Sequence, residues 1–578
     1  MLVLLIGLGM GPRPVSGFVP FDLSNFLASG NEYACDNSSV RIVRPKTVED
    51  VAEAVRLFSH VKAVGGGWSW NQPFFCASNG SAPPNPNGYG YGKNGSALAG
   101  APPPPVGGTA NIVMTTLRPL LIEVDEQGQS VTVDAGVRTI DLLRYLADYV
   151  TPTAPSGYTL PAFPWFVFQT LGGAVSTGTH GSSLSHKSLS SQVLELTVVL
   201  ANGTVRTFSD ETDPFLMKAL RVSVGQLGII VHIKFRIVPE MPVTRTLHRL
   251  TATQYLAMLR AAQARSGRGG AIGSERCANQ WNTQGDLPAW MESTEFFWVP
   301  QRHEYIDISR SGVFAIAANT TKEALLGYLY QPEAILDVNI RKVPFDQYET
   351  AMPVASMADC WQGLLELLYG ADNLDGRAYN GTVSPLSLLA SLTPNGTAAL
   401  SPSVIAPNGR PDYGFRSNPL IRTTGREDAL LSNTEDGPRL WLNIEDYLYY
   451  NRPVRRTNVV FKRLMGYLRS DPRCGPTGIG GGGARLHWGK AGWPDAGCWH
   501  GDKEFPNTWC DFGCAVRQLD PKDKLRDSAP DRWTWEGVPL EQCCGPDGFR
   551  RGDPACTCRV KHARTAATCP PPPFYTYR

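Results

Sequence analysis

The chain is expected to fold as an α+β protein with two main domains. Three observations predict this. Over residues 36–242, strand-like alternation, hairpin signals and short helical periods follow one another. After 243, longer helical stretches mix with isolated strands. Glycine clusters also stand at the ends of strands, where a chain turns. The length of 578 residues exceeds one ordinary domain. With 18% charged and 42% hydrophobic residues, large cores are available. A net charge of +2 and the lack of a dense Lys/Arg run give no footprint of a nucleic-acid partner or an anionic membrane surface.

The elements follow in order. Residues 18–40 read as irregular. Arg41–Pro45 reads as a short strand, and Thr47 with Asp50 resembles a capping box. Val48, Val51, Ala52, Val55 and Phe58 have helical spacing, so a helix is predicted over 48–59. Lys62–Val64 is a strand running into Gly65-Gly66-Gly67, then Trp68 and Ser69. The G-x-G-x-x-G spacing of a dinucleotide fold is absent there. Residues 77–110, rich in Asn, Gly and Pro, are predicted to be a disordered insertion. Ser130–Ala135 reads as a strand, and Thr139–Tyr149 as a helix. Asn202-Gly203 signals a hairpin between Val193–Leu200 and Val205–Phe208. Asp213-Pro214 opens a short helix. Gly225–Gly228 precedes an alternating strand from Ile229 to Ile237. Beyond this lie a domain over 243–453, with a loop-rich insertion at 371–437, a segment over 454–540 and a Cys-rich tail at 541–578.

Gln169–Leu184 combines four glycines with Ser, Thr and His and contains no Asp, Glu, Lys, Arg or Pro. Gly172, Gly173, Ser176, Thr177, Gly178, His180, Gly181 and Ser182 give it little apolar bulk. Such a backbone approaches another group closely, and its N–H groups suit an anion such as a diphosphate. The same composition fits a small-residue turn packed against a helix.

Several features point to the secretory route. Residues 1–17 resemble a signal peptide, although no Lys or Arg precedes the apolar run. Sequons stand at Asn37, Asn79, Asn94, Asn202, Asn319, Asn380 and Asn395. Eight of the thirteen cysteines fall between Cys498 and Cys569, a clustering that reads as disulfides. Zinc is the rival, but Cys543-Cys544 and Cys556-Thr-Cys558 lack the paired C-x₂-C spacing. Secretion or residence in the secretory pathway is expected; an organelle or membrane-associated site is the alternative.

Five motifs, in order, carry a resemblance. Val64-Gly-Gly-Gly-Trp-Ser-Trp-Asn71 and Ser176-Thr-Gly-Thr-His-Gly-Ser182 resemble the two flavin loops of the vanillyl-alcohol-oxidase superfamily, with its PCMH-type FAD-binding domain. Thr294–Pro300, Leu486-His-Trp-Gly-Lys490 and Trp509–Phe512 with Leu519-Asp-Pro521 resemble the aldonolactone oxidase branch. The Cys-rich end resembles plant gulonolactone oxidase-like tails. The resemblance implies a two-lobed FAD-binding domain over 36–242, a substrate domain above the flavin ring, and a chain that returns to the flavin domain after about 455. It implies that Gly65, Gly66, Gly67, Trp68, Ser69, the glycine stretch at 172–182, Gly228, Ile229 and Lys490 contact FAD. Many members carry His where Trp68 stands, and that His bonds to the flavin; tryptophan cannot, so non-covalent FAD is expected. Cys76 is the cysteine nearest for another kind of linkage.

The implied reaction is oxidation of a CH–OH group of a gulono-, galactono- or arabinono-1,4-lactone, with hydride passing to flavin N5 and O2 as acceptor. Alditol or sugar oxidation, by an oxidase or a dehydrogenase, is the alternative within the fold. A non-catalytic secreted carbohydrate-binding protein is the alternative outside it. Lys490 suits a cation beside the reduced flavin or the substrate oxygen, and otherwise a surface lysine. His487 suits orientation of the ring or a bond to substrate, and otherwise a satisfied buried histidine. His180 is expected to have a structural or flavin-contact role. Glu445 is the candidate substrate carboxylate, with Asp446 its alternative on the opposite strand face. The Arg that often follows two positions after that Glu is Tyr447 here. No metal constellation stands out.

Overall fold

A computed structural model of the chain describes residues 41–69, 108–164, 166–240, 244–266, 294–299, 312–319, 345–369, 419–447, 459–475, 484–490, 501–526, 535 and 537–558. Residues 1–17, Cys35, Cys76, Cys498, Cys569 and the glycine run 480–483 lie outside these residues. So do five of the sequons, at Asn37, Asn79, Asn94, Asn380 and Asn395.

The described residues begin with β1 (Arg41–Val43), α1 (Val48–Leu57), β2 (His60–Val64) and β3 (Thr109–Val113). The strands form a parallel sheet in the order β1-β3-β2. The expected capping box starts α1: Asp50 N–H donates to Thr47 Oγ1 at 3.1 Å, and Thr47 N–H to Asp50 Oδ2 at 2.9 Å. Val51, Ala52 and Val55 are buried, so this helix covers the small sheet with the face its spacing predicted.

Next come β4 (Ile122–Asp125), β5 (Ser130–Asp134), α2 (Thr139–Asp148), β6 (Tyr158–Thr159), α3 (Leu171–Ser176), β7 (Val193–Val199), β8 (Val205–Ser209), α4 (Pro214–Leu220), β9 (Ile229–Arg236) and β10 (Val238–Pro239). Five strands form an antiparallel sheet, β4-β5-β9-β7-β8. Here the structure corrects the loop reading of 169–184. Leu171, Ala174 and Val175 are buried and draw Leu171–Ser176 into a helical turn despite its two glycines.

The third part contains β11 (Thr244–Leu250), α5 (Ala252–Ser266), β12 (Thr294–Val299), β13 (Gly312–Asn319), β14 (Phe345–Pro353), α6 (Met357–Tyr369), β15 (Leu420–Thr424), β16 (Arg439–Tyr447), α7 (Val459–Ser470) and β17 (Arg485–Leu486). Its antiparallel sheet has the order β11-β13-β12-β15-β16-β14-β17. Two expectations are corrected. Residues 420–437 are no loop-rich insertion: β15 is paired on both edges, and the turn after it is buried. The return to the first domain also starts later than 454, because Leu464 and Leu468 of α7 pack with α6 against this sheet. A disulfide, Cys360–Cys474, ties the two helical segments together.

The chain ends, as described, with α8 (Gly501–Glu504), α9 (Trp509–Leu519), α10 (Leu540–Cys543), β18 (Cys544–Gly545) and β19 (Gly548–Phe549). Phe505, Trp509 and Phe512 enter the same core as Val133, Leu196 and Ile233 of the five-stranded sheet. Burying one such side chain contributes about 2 kcal/mol. The tail is bound to α9 by Cys510–Cys558 and Cys514–Cys544, and to itself by Cys543–Cys556. The disulfide reading of the cysteine cluster therefore holds over zinc. Among the described residues no helix is long and apolar enough to cross a membrane.

Candidate active site

The site is built where the seven-stranded sheet meets the small-residue loops. On β14, Gln347 and Glu349 are two apart and share a face. Their partners on β16 are Glu445 and Asn443, while Arg422 of β15 stands opposite Trp441. Gln347 Nε2 donates to Asn443 Oδ1 at 3.2 Å. β17 then pairs with β14, and the His487 N–H continues that ladder to the Glu349 carbonyl at 3.0 Å. This pairing brings the His487–Lys490 turn over the polar face, where Lys490 Nζ donates to Gln347 Oε1.

The turn is held from its other side by residues 427–437. Asn433 Nδ2 donates to the Leu486 carbonyl at 2.7 Å, and Trp488 Nε1 to the Leu431 carbonyl at 2.7 Å. Arg485, fully buried, donates to the Asn433 carbonyl and Asp436 at 3.0 Å each. A buried ionic group this well bonded fixes one backbone register.

The second small-residue loop reaches the same place. Ser182 Oγ accepts from Thr423 N–H at 3.3 Å, and Gly425 N–H donates to the Ser183 carbonyl at 3.2 Å. His180 stacks on Trp441 with ring centroids 4.0 Å apart. Its Nε2 stands 3.6 Å from Glu349 Oε1, and Arg422 Nη1 is also 3.6 Å from that oxygen. The first loop joins through Ser69, whose Oγ donates to the Gly489 carbonyl at 3.4 Å. A Cβ at Gly65 would stand 2.0 Å from Thr170 Oγ1, so the two loops need glycine to lie this close. Gly178 turns the second loop with φ +65°. Trp68 packs edge-on against Phe166, with centroids 4.6 Å apart.

The electrostatics follow from burial. Burial works to raise the Glu349 carboxyl, yet His180, His487, Lys490 and Arg422 together hold it down to about 2. Burial also lowers His487, to about 3 against the pull of Glu349, so this imidazole is neutral at pH 7. His180 is lowered for the same first reason and raised by Glu349. At neutral pH the countercharges of Glu349 are therefore Lys490 and Arg422.

His180, Glu349 and His487 bring ligating atoms within 4.8 Å of one another. A metal fits poorly, because His487 Nδ1 accepts the Gly489 N–H at 2.9 Å and a neutral ring then carries its hydrogen on Nε2. His180 Nδ1 faces the Gly181 carbonyl at 2.9 Å, so it is the protonated nitrogen of a neutral ring. Nε2 is then an acceptor facing a carboxylate. His180 Nε2, Glu349 Oε1 and Asn443 Nδ2 have no hydrogen-bond partner among the described residues. Two acceptors and one donor at the meeting of two small-residue loops and the His487–Lys490 turn fit a polar ring cofactor with a hydroxylated substrate.

The residues singled out from sequence divide clearly. Gly65–Ser69, Thr177–Ser182, His487 and Lys490 are brought together. Ser176 and Thr177 hydroxyls donate back to Gly172 and Gly173 carbonyls, at 2.8 and 2.9 Å, and so close the α3 turn. Gly228 packs against Val198, and Ile229 is buried in the core under α1. Glu445 stands opposite Gln347, with its side chain outside the described residues. Glu349, Arg422, Gln347 and Asn443 were not foreseen. Two polar residues, Gln347 and Glu349, at the period-2 spacing of one strand face were the available signal.

Residues 93–209 match the model of the FAD binding domain. D-arabinono-1,4-lactone oxidase of Eremothecium gossypii is 40% identical over 129 residues, 22% of this chain and 23% of that protein. The Saccharomyces cerevisiae enzyme of the same name is 37% identical over 121 residues, 21% of this chain and 22% of that protein. L-gulonolactone oxidase of Bos taurus is 30% identical over 136 residues, 24% of this chain and 29% of that protein. The matched segment thus spans under a third of each of these relatives.

Proposed function

We propose that this protein is an FAD-dependent oxidoreductase that oxidises a CH–OH group of a sugar-derived 1,4-lactone, with O2 as electron acceptor. One observation carries the reading: two small-residue loops and the His487–Lys490 turn, distant in sequence, converge on the buried group of His180, Glu349, Arg422, His487 and Lys490. The names of the relatives supply the lactone. Gly65–Ser69, Thr177–Ser182 and Lys490 would hold FAD in a two-lobed domain, without a covalent bond because Trp68 offers no nucleophile. Bound FAD supplies the hydride acceptor. Lys490 would supply a positive charge to the bound flavin, where negative charge gathers on reduction. Glu349 and His180 present two acceptor atoms for the substrate hydroxyl, and His180 Nε2 takes its proton while Glu349 stabilises the imidazolium. Four disulfides among the described residues support a place in the secretory pathway.

The test is an absorbance spectrum of the purified protein, followed by anaerobic addition of aldonolactones and alditols. The oxidised-flavin bands should be present and should bleach with a lactone. A protein without those bands after incubation with FAD would sink the reading.

A further inference from the structure

We propose that Asn202 is a site of N-linked glycosylation. Asn202-Gly203-Thr204 forms the tip of the β7–β8 hairpin. Asn202 and Thr204 are exposed, whereas Gly203 is buried against α1. The hairpin is closed by Gly203 N–H to the Leu200 carbonyl at 2.8 Å and Leu200 N–H to the Thr204 carbonyl at 2.9 Å. Gly203 adopts φ +81°, and Arg56 Nη1 donates to its carbonyl at 3.3 Å. The tip therefore has one conformation, pinned from behind by a helix.

Within that tip, Asn202 Oδ1 accepts the Thr204 N–H at 2.9 Å. This is an Asx turn, and it engages the oxygen of the carboxamide. The nitrogen, Nδ2, is the atom that carries a glycan. In the transfer, Nδ2 attacks the anomeric carbon of a lipid-diphosphate-linked oligosaccharide. A C–N bond forms, the C–O bond to the diphosphate breaks, Nδ2 loses one proton, and the lipid diphosphate leaves. The product amide keeps Oδ1, so the turn survives modification and the sugar extends from an exposed tip. Asn319, the other sequon among the described residues, differs: it ends β13 in register with Thr244 of β11.

The experiment uses the full chain made in a eukaryotic secretory host. The disulfide-bonded protein is digested with peptide-N-glycosidase in heavy-oxygen water, and the peptide containing Asn202 is weighed. The heavy label excludes deamidation that preceded digestion, and a parallel incubation in heavy-oxygen water without the enzyme, which should leave Asn202 unlabelled, separates enzymatic release from spontaneous deamidation of Asn-Gly. Asn202 should convert to labelled Asp. Asn202→Asp, which keeps the turn oxygen and removes the nitrogen, should lose one glycan-sized step in gel mobility. Thr204→Ala should lose the same step, and Thr204→Ser should keep it. Folded protein with unlabelled Asn202, or a chain that never enters the secretory pathway, overturns the proposal.

Discussion

Glu349 Oε1 and His180 Nε2 face each other at 3.6 Å, from a strand of one sheet and a loop of another domain, both buried. The relationship makes Glu349 the group most sensitive to change. Glu349→Gln leaves Arg422 and Lys490 without their buried countercharge. Breaking a buried pair in this way costs on the order of 3 kcal/mol. The denaturant midpoint should fall accordingly, and flavin reduction should slow. A variant with wild-type midpoint would show that the carboxylate is not charged in the fold.

Lys490→Met should leave FAD bound but slow anaerobic flavin reduction roughly 100-fold, the scale of losing one preorganised charge contact. Stopped-flow absorbance measures it. An unchanged rate removes Lys490 from the chemistry.

Acid should weaken the fold in two stages. His487 and His60 are depressed, chiefly by burial, to about 3 and about 4. Below pH 6.5 the unfolded chain takes up these protons and the folded one does not, so each removes about 1.4 kcal/mol per pH unit down to its folded value. Glu349 is depressed to about 2, so its stabilisation is present above pH 4.5 and is lost as pH falls toward 2. Chemical denaturation from pH 7 to 4 should show the first loss, and His487→Asn should reduce it. A flat profile over that range contradicts neutral buried imidazoles.

Acid precipitation should release all the flavin into solution, because Trp68 cannot bond to it. A yellow pellet would show a covalent link through another residue.

Cys474→Ser opens the Cys360–Cys474 bridge, which spans 114 residues of sequence. A loss of about 5 kcal/mol in unfolding free energy is the chain-entropy expectation for a loop this long. An unchanged thermal midpoint would mean that α6 and α7 hold each other by packing alone.

What sequence made visible was local. The capping box at Thr47 and Asp50, the Asn202-Gly203 turn and the alternation of β9 each depend on neighbours a few residues away. His180, His487 and Lys490 were visible because they stand inside unusual small-residue or Trp-Gly segments. Glu349 and Arg422 were not, because their significance arises from strand pairing across large separations in sequence. The run of Asn, Gly and Pro before Leu420 masked β15, whose pairing with β12 and β16 overrides composition. Glu445 holds the motif position on β16, while β14 carries the described carboxylate of the site.

Trp509, Phe512 and Phe549 complete the core that Val133 and Ile233 begin. A ribosome adding about 5–20 residues per second therefore takes roughly 15–60 seconds between the last strand of that sheet and its missing wall. During this interval the first half of the chain has an open apolar flank. The domain near the start of the polypeptide is thus among the last to close, and its assembly depends on whatever shelters that flank while the rest is made.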